Sequence, residues 1–252
     1  MNITEPRQPD PLSLYVDTHL ARARDSFRAE ELAWFTTGAP HEELNGVLYA
    51  TAATVDDALQ RLAGVQALWH SWPERPEFDV EAQLRDREFR FVEEEPALTQ
   101  QLDPQREVAA APHQGAATIR LVDTEHDLAT WEEIWTGGAS QPATHRALAS
   151  AGLGASRSAH HLLAEVDGVA VGCGAAVVAG STLAVEHIVT AASHRRRGIG
   201  SQLTEAALTL GREYGAKNAI LTASPDGAGI YERLGFERRE PVRRFITPAA
   251  HE

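Results

Sequence analysis

Residues Ser193 to Leu203 read SHRRRGIGSQL, directly after the apolar run LAVEHIVT from Leu183 to Thr190. Arg195, Arg196 and Arg197 run into Gly198-Ile199-Gly200 and then into a segment with helical periodicity. Strand, basic glycine turn and helix together make a phosphate holder, because the amides at a helix start lack partners and the helix dipole adds partial positive charge there. Two common versions are excluded. A dinucleotide fingerprint needs a third glycine where Leu203 stands, and an acidic residue after the following strand, which is missing. A P-loop needs Gly-Lys-Ser/Thr, which is also missing. What remains is Arg-x-x-Gly-x-Gly, beginning at Arg195.

Outward from this loop the second half alternates regularly. The helix, roughly Gly200 to Tyr214, carries Leu203, Ala206, Ala207, Leu210 and Tyr214 at the spacing of a face packed on a sheet. Upstream, ATIRLV (Ala117 to Val122) reads as a strand, and DTEHDLATWEEIW as a helix capped by Asp123 or Thr124. A second short helix follows around ATHRALASAGL. Next come HHLLAEV and VAVGCGAAVV, joined by Asp167-Gly168, a strong hairpin signal. Downstream, AKNAILTAS reads as a strand, DGAGIYERLG as a short helix ended by Gly235, and FERREPVRRFIT as a closing pair of strands with a Pro-containing turn. The fold class this predicts is α/β (α+β), with a mixed, mostly antiparallel sheet flanked by helices.

Composition narrows the partners. The chain has 252 residues and a formal net charge of −13, which opposes binding to nucleic acid or an anionic membrane surface; it reads as an ordinary acidic surface, with an acceptor site that attracts cations as the alternative. The single cysteine, Cys173, sits in an apolar run, so no disulfide framework or cysteine metal site forms within the chain. His160, His161 and the other histidines lack metal-ligand spacing with acidic partners, so no metal is expected. The N-terminal stretch has no signal-peptide pattern, and no apolar run nears membrane-spanning length. A cytoplasmic protein, monomer or homodimer, is expected.

The second half resembles the GNAT superfamily of N-acetyltransferases. RRRGIG (Arg195 to Gly200) matches that family's pyrophosphate loop, Gln/Arg-x-x-Gly-x-Gly/Ala, at every specified position. IYERLGFE (Ile230 to Glu237) resembles its terminal segment, and the element order matches its fold from about Ala117 to Thr247. The resemblance implies acetyl-CoA as cosubstrate and direct transfer of acetyl to the amine of a small molecule or peptide. The cofactor contacts it implies are Ile188, Val189, Thr190, Arg195, Arg196, Arg197, Gly198, Ile199, Gly200, Ser201 and Ser224. Tyr231 falls at the family's general-acid position, and a phenol stays protonated at neutral pH. For the base there are Glu186, at a place where the family often has an acidic residue, and His187, with the better intrinsic pKa; ordered water is the third option. Neighbours on a strand face opposite ways, so only one of the two looks into the cleft unless a bulge intervenes. The same fold is also compatible with a noncatalytic CoA-binding sensor or scaffold, and with transfer of another acyl group.

VAAAPHQGAA, Val108 to Ala117, is small and polar and marks a boundary: a first domain at 1–108, a linker at 109–116 and the catalytic domain at 117–252. In the first half, LAWFTT and NGVLYAT read as strands. TVDDALQRLAGVQALW reads as a helix with Leu59, Leu62, Val65, Leu68 and Trp69 inward, HSWPE as a short strand, and FDVEAQLRDREFRFVEEEP as a helix then a strand. That order repeats the closing part of the second half. The turn before its helix has neither glycine nor arginine, and Asp56 and Asp57 would repel phosphate, so the first half reads as a degenerate GNAT-like domain unable to hold CoA, with an unrelated α/β module as the alternative.

Overall fold

A computed structural model describes residues 9–103, 117–139, 141–225 and 227–247; the linker expected at 109–116 lies outside them. The first half begins with helix α1 (Pro11–Ala21), where Asp10 accepts from the Ser13 amide at 3.1 Å and Pro11 occupies the first turn. Neither α1 nor the short strand β1 (Asp25–Arg28) was legible in the sequence. Leu12, Leu14, Tyr15, Val16, Thr18 and His19 are all buried, so α1 is covered on most sides and carries no one-sided stripe. Strands β2 (Leu32–Thr36) and β3 (Asn45–Ala50) fall where expected. Helix α2 (Val55–Arg61) is shorter than expected: the chain turns at Gly64 (φ +76°), and Leu68 and Trp69 belong to strand β4 (Leu68–Ser71) instead. Helix α3 (Glu81–Asp86) and the long strand β5 (Arg90–Gln101) complete this half.

The second half follows its sequence more closely. Strand β6 (Thr118–Leu121) leads to α4 (Glu125–Thr136), capped by Thr124, and to α5 (Pro142–Gly152). Strands β7 (Ala159–Val166) and β8 (Val169–Ala179) are joined through Asp167 and Gly168, both at positive φ as a tight hairpin requires. Then come β9 (Thr182–Thr190), α6 (Ile199–Glu213), β10 (Asn218–Thr222), α7 (Ala228–Arg233) and β11 (Glu237–Ile246). The pair of strands expected in FERREPVRRFIT is therefore one strand. Pro241 sits opposite Pro96 beside a register shift, because β11 pairs along β5 rather than folding back on itself.

The sheet has the mixed, mostly antiparallel form expected, with helices on its faces. Among the described residues its eleven strands run β1-β2-β3-β4-β11-β5-β10-β9-β8-β7-β6. Each half's closing strand is inserted into the other: β11 lies between β4 and β5, and β5 between β11 and β10. Apart from the extra edge strand β6, the order is symmetric about the β11/β5 pair, with β3 parallel to β4 on one side and β9 parallel to β10 on the other. The cores interlock accordingly. Leu98 of β5 packs in the cluster with Leu183, Leu203, Leu221 and Phe236, while Phe245 of β11 packs with Val47, Trp69 and Phe89.

Candidate active site

The arginine-glycine loop has the backbone that its sequence demands. Arg195 is extended, Arg196 is left-handed at φ +64°, and Gly198 is left-handed at φ +81° at the start of α6. Left-handed residues interspersed in a turn aim successive amides to one side, an anion-binding nest. The Gln202 amide is the first in α6 to find its helical acceptor, Gly198 O at 3.0 Å, so the amides of Ile199, Gly200 and Ser201 precede the helical ladder. Among the described residues no acidic side chain pairs with Arg195, Arg196 or Arg197; the Arg195 Nε donates to Thr190 O at 3.3 Å. The two glycines differ. Gly198 needs its positive φ, whereas Gly200 is helical, and a Cβ there would only touch Ile188 Cγ2 at 3.6 Å.

A cleft of about 1100 Å³ opens beside this loop, and the pairing of β9 explains it. β9 pairs with β10 only from Thr182 to Ala184; beyond that point the two parallel strands part, and β10 continues against β5 alone. Residues Ile188, Val189 and Thr190 thus form one wall and Thr222, Ala223 and Ser224 the other. Of the expected cofactor contacts, Arg195, Arg196, Gly198, Ile199, Gly200, Ser201 and Ser224 line the cleft as well; Arg197 is exposed and lies outside its wall.

β9 contains a bulge. Cys173 faces Val189 and Ala175 faces Glu186, so one residue of β8 opposes two of β9, and His187 takes φ +56°. The bulge breaks the alternation of the strand, and both Glu186 and His187 line the cleft. Arg22 donates from Nη1 to Glu186 Oε2, with His19 Nε2 at 3.9 Å from Oε1. Burial raises the Glu186 pKa, as does the Glu43 charge, against the lowering effect of Arg22. His187 is driven well below the ordinary imidazole value, first by burial and then by the Arg22 charge, so it is neutral. Its ring lies 4.6 Å from that of Trp135, and Nε2 has no hydrogen-bond partner.

Tyr231, on α7, lines the same cleft, and burial followed by the Glu95 charge pushes its pKa up to about 12. The far end of the cleft is built by the first half. There Tyr15 donates to His70 Nε2 at 3.1 Å, because His70 Nδ1 is occupied in donating to Val47 O at 2.7 Å. Arg244 of β11 bridges Glu95 Oε1 at 2.6 Å and Glu93 Oε1 at 2.7 Å.

Residues 157–238 match the acetyltransferase (GNAT) domain family. That span of the second half is similar to GNAT acetyltransferases. The matched span runs from just before β7 into β11 and contains the loop, the bulge and Tyr231. Solved structures with the same fold include a GCN5-related N-acetyltransferase from Kribbella flavida, 21% identical, covering 95% of each chain at a TM-score of 0.65. A functionally unknown conserved protein from Staphylococcus epidermidis is 14% identical over 95% of this chain and 98% of its own, at 0.64. A GNAT-family protein from Novosphingobium aromaticivorans is 17% identical over 94% and 98%, at 0.59. At these identities the likeness is one of fold, and it spans both halves. No curated protein matches the sequence.

Likeness to the GNAT domain accounts for the loop and the segment around Tyr231 but not for the far end of the cleft. Tyr15, His19, Arg22, His70, Glu95 and Arg244 were not singled out by the sequence. The only signal was polar residues inside apolar runs, such as His70 in LWHS and Arg244 in VRRFI, and neither run belongs to a shared motif. No helix among the described residues is long and apolar enough to cross a membrane.

Proposed function

We propose that the protein is an acetyl-CoA-dependent N-acetyltransferase that delivers acetyl directly to a primary amine, with Tyr231 as general acid. One observation carries this reading: a single cleft extends from the nest at Arg196–Gly198, past the unpaired edge of Ile188–Thr190, to Tyr231. Acetyl-CoA would bring an acetyl thioester that amines attack without a covalent enzyme intermediate. The residues present fit its polyanionic part. The nest amides and the unpaired Arg195 and Arg196 suit a pyrophosphate, and the free strand edge of Ile188, Val189 and Thr190 suits an amide-bearing arm. Cys173 is buried, and its thiol is pushed up to about 12 mainly by that burial, so it offers no nucleophile.

An acceptor ammonium loses two protons on becoming an amide: one goes to the departing sulfur and the other to solvent. Tyr231, whose phenol keeps its proton at neutral pH, protonates the sulfur and regains its own proton from the first that the nitrogen sheds. Glu186 receives the second, because its raised pKa makes it a stronger base than an ordinary carboxylate. His187, neutral and held at the bulge, positions that side of the cleft. Thiol release from acetyl-CoA over a panel of amines tests the reading. Turnover with at least one amine, lost in Tyr231→Phe, is expected; folded protein that binds CoA and releases no thiol with any amine would make it a noncatalytic CoA binder. Propionyl- and succinyl-CoA in the same assay read the acyl group, which the loop does not contact.

We further infer that residues 1–108 are a degenerate copy of the same unit. The series β3-α2-β4-α3-β5 repeats β9-α6-β10-α7-β11 in order and in pairing sense. At the start of α2, however, Thr54 makes no side-chain cap and has ordinary φ, Asp56 and Asp57 fill the first turn, and the turn leading into it, Thr51 to Thr54, contains no glycine. Phosphate has no seat there.

A further inference from the structure

Helix α1 belongs to the first half in sequence but to the second half in packing. It lies across β8, β9 and β10, where Tyr15 and Val16 share a buried cluster with Val177, Ala184 and Ile220. Arg22 follows its last turn and so reaches β9, where its guanidinium meets Glu186, 164 positions away in the chain. Both side chains are buried, 7% and 13% exposed, and the Arg22 Cζ lies 5.5 Å from the centroid of the Phe35 ring. Among the described residues Glu186 is the one hydrogen-bond acceptor of this guanidinium, whose Nε has no partner. A charge buried this far needs a counter-charge, and each residue supplies the other's.

No other group facing Glu186 stands in for Arg22. His19 of α1, with Nε2 3.9 Å from Oε1, and His187 of β9, with Nε2 3.6 Å from Oε2, are both held neutral, first by burial and then by the Arg22 charge itself. Tyr15 of α1 keeps its proton, its pKa raised mainly by burial. Glu43, between β2 and β3, carries the same sign as Glu186 and raises its pKa. The bond to Arg22 also divides the two oxygens of the carboxylate. Oε2 is taken; Oε1 has no hydrogen-bond partner among the described residues, since His19 is too distant, and Glu186 forms part of the cleft wall. One oxygen anchored and one free leaves a base aimed but not occupied.

We propose that Arg22 is a positioning residue for the transfer: it anchors Oε2 of Glu186, leaves Oε1 to face the acceptor amine and sets a positive charge beside the carboxylate. The first half, which has no seat for phosphate, thereby completes the base of the second. The proposal rests on the N-acetyltransferase reading and adds to it a role for the first half.

Arg22→Gln in the full chain tests it, because glutamine keeps a donor for Glu186 and removes the charge. The Glu186 pKa should rise by about one unit or more, and the acid limb of kcat/KM should move up with it. The deficit against wild type should be largest on the acid side and shrink toward pH 9, with CoA affinity unchanged. Arg22→Lys, which keeps the charge, should leave the limb in place. A deficit equal at every pH is what a merely structural role gives, and it would overturn the proposal. Should Arg22→Gln not fold, the same change combined with Glu186→Gln leaves no buried charge unpaired and decides the matter. Its kcat should lie within about threefold of Glu186→Gln alone, and a further loss of about tenfold would overturn the proposal. Titration of the Glu186 carboxyl by carbon-13 NMR needs no turnover and separates the two readings. An upward shift in Arg22→Gln, in protein that acetylates no amine, keeps the hold of Arg22 on Glu186 and loses the activity; turnover with the carboxyl titration unmoved loses the role of Arg22 and keeps the activity.

Discussion

Glu186 and His187 are adjacent in the chain, yet their side chains meet in one wall of the cleft, with Glu186 Oε2 3.6 Å from His187 Nε2. In a regular strand they would face opposite sides of the sheet. The bulge at His187 brings them together, and the left-handed backbone it needs falls on a residue that is not glycine.

That geometry makes His187 sensitive to side-chain shape. His187→Val places a β-branched residue at φ +56° and should cost about 1–3 kcal/mol in urea unfolding, with loss of turnover. His187→Gly should keep most of the stability.

Tyr231→Phe should lower kcat by about 10²–10⁴ with little change in the Kd for CoA. Because its pKa is raised to about 12, the acid form persists through alkaline pH; a decline in kcat between pH 8 and 10 that vanishes in Tyr231→Phe would contradict its role.

The loop glycines should separate. Gly198→Val forces a β-branched residue into φ +81° and should lower stability by about 1–3 kcal/mol and abolish CoA binding. Gly200→Ala fits the protein, since its Cβ meets only Ile188 Cγ2 at 3.6 Å, so the chain should stay as stable while CoA binding falls. Arg196→Ala removes one solvated charge worth about 1 kcal/mol and should weaken binding severalfold.

Acid should unfold the protein through its buried histidines. His70 is lowered to about 4 and His161 to about 3, in both mainly by burial, so the folded form binds fewer protons than the unfolded chain below pH 6.5. Stability should therefore fall as pH drops from 6.5 toward 4, by about 1.4 kcal/mol per pH unit for each histidine still neutral in the fold. Glu186 and Glu95, with raised pKa values, work in the opposite sense over the acid range. Urea titrations across pH 4–7 check the net slope; stability flat across that range would contradict it.

Much of the second half was legible because its signals are local. Asp167-Gly168, the stripe on α6 and the arginine-glycine loop each specify their own geometry. Less local relations were not. The exchange of β5 and β11 depends on partners about 140 residues apart, such as Glu237 with Thr99, and no periodicity reports it; FERREPVRRFIT therefore read as a hairpin. Helix α1 was missed because it is covered on most sides, and with it went Tyr15, His19 and Arg22. The bulge at His187 was legible only as an alternative, since its backbone is set by pairing with β8.

The strand exchange means the halves cannot be parted. Residues 117–252 alone would lack β5, leaving β10 and β11 without their shared neighbour and Leu98 missing from the core. That fragment should be insoluble or unfolded by circular dichroism, and a folded one would contradict the interlocked sheet.

On the proposed function, one nest, in the second half, holds the cofactor. Calorimetric titration of the full chain with CoA measures it most directly, with Gly198→Val and Thr54→Val as comparisons. One CoA per chain, no binding in Gly198→Val and unchanged binding in Thr54→Val are expected. Two CoA molecules per chain, no binding by the wild-type protein, or a loss in folded Thr54→Val as severe as in Gly198→Val would contradict it.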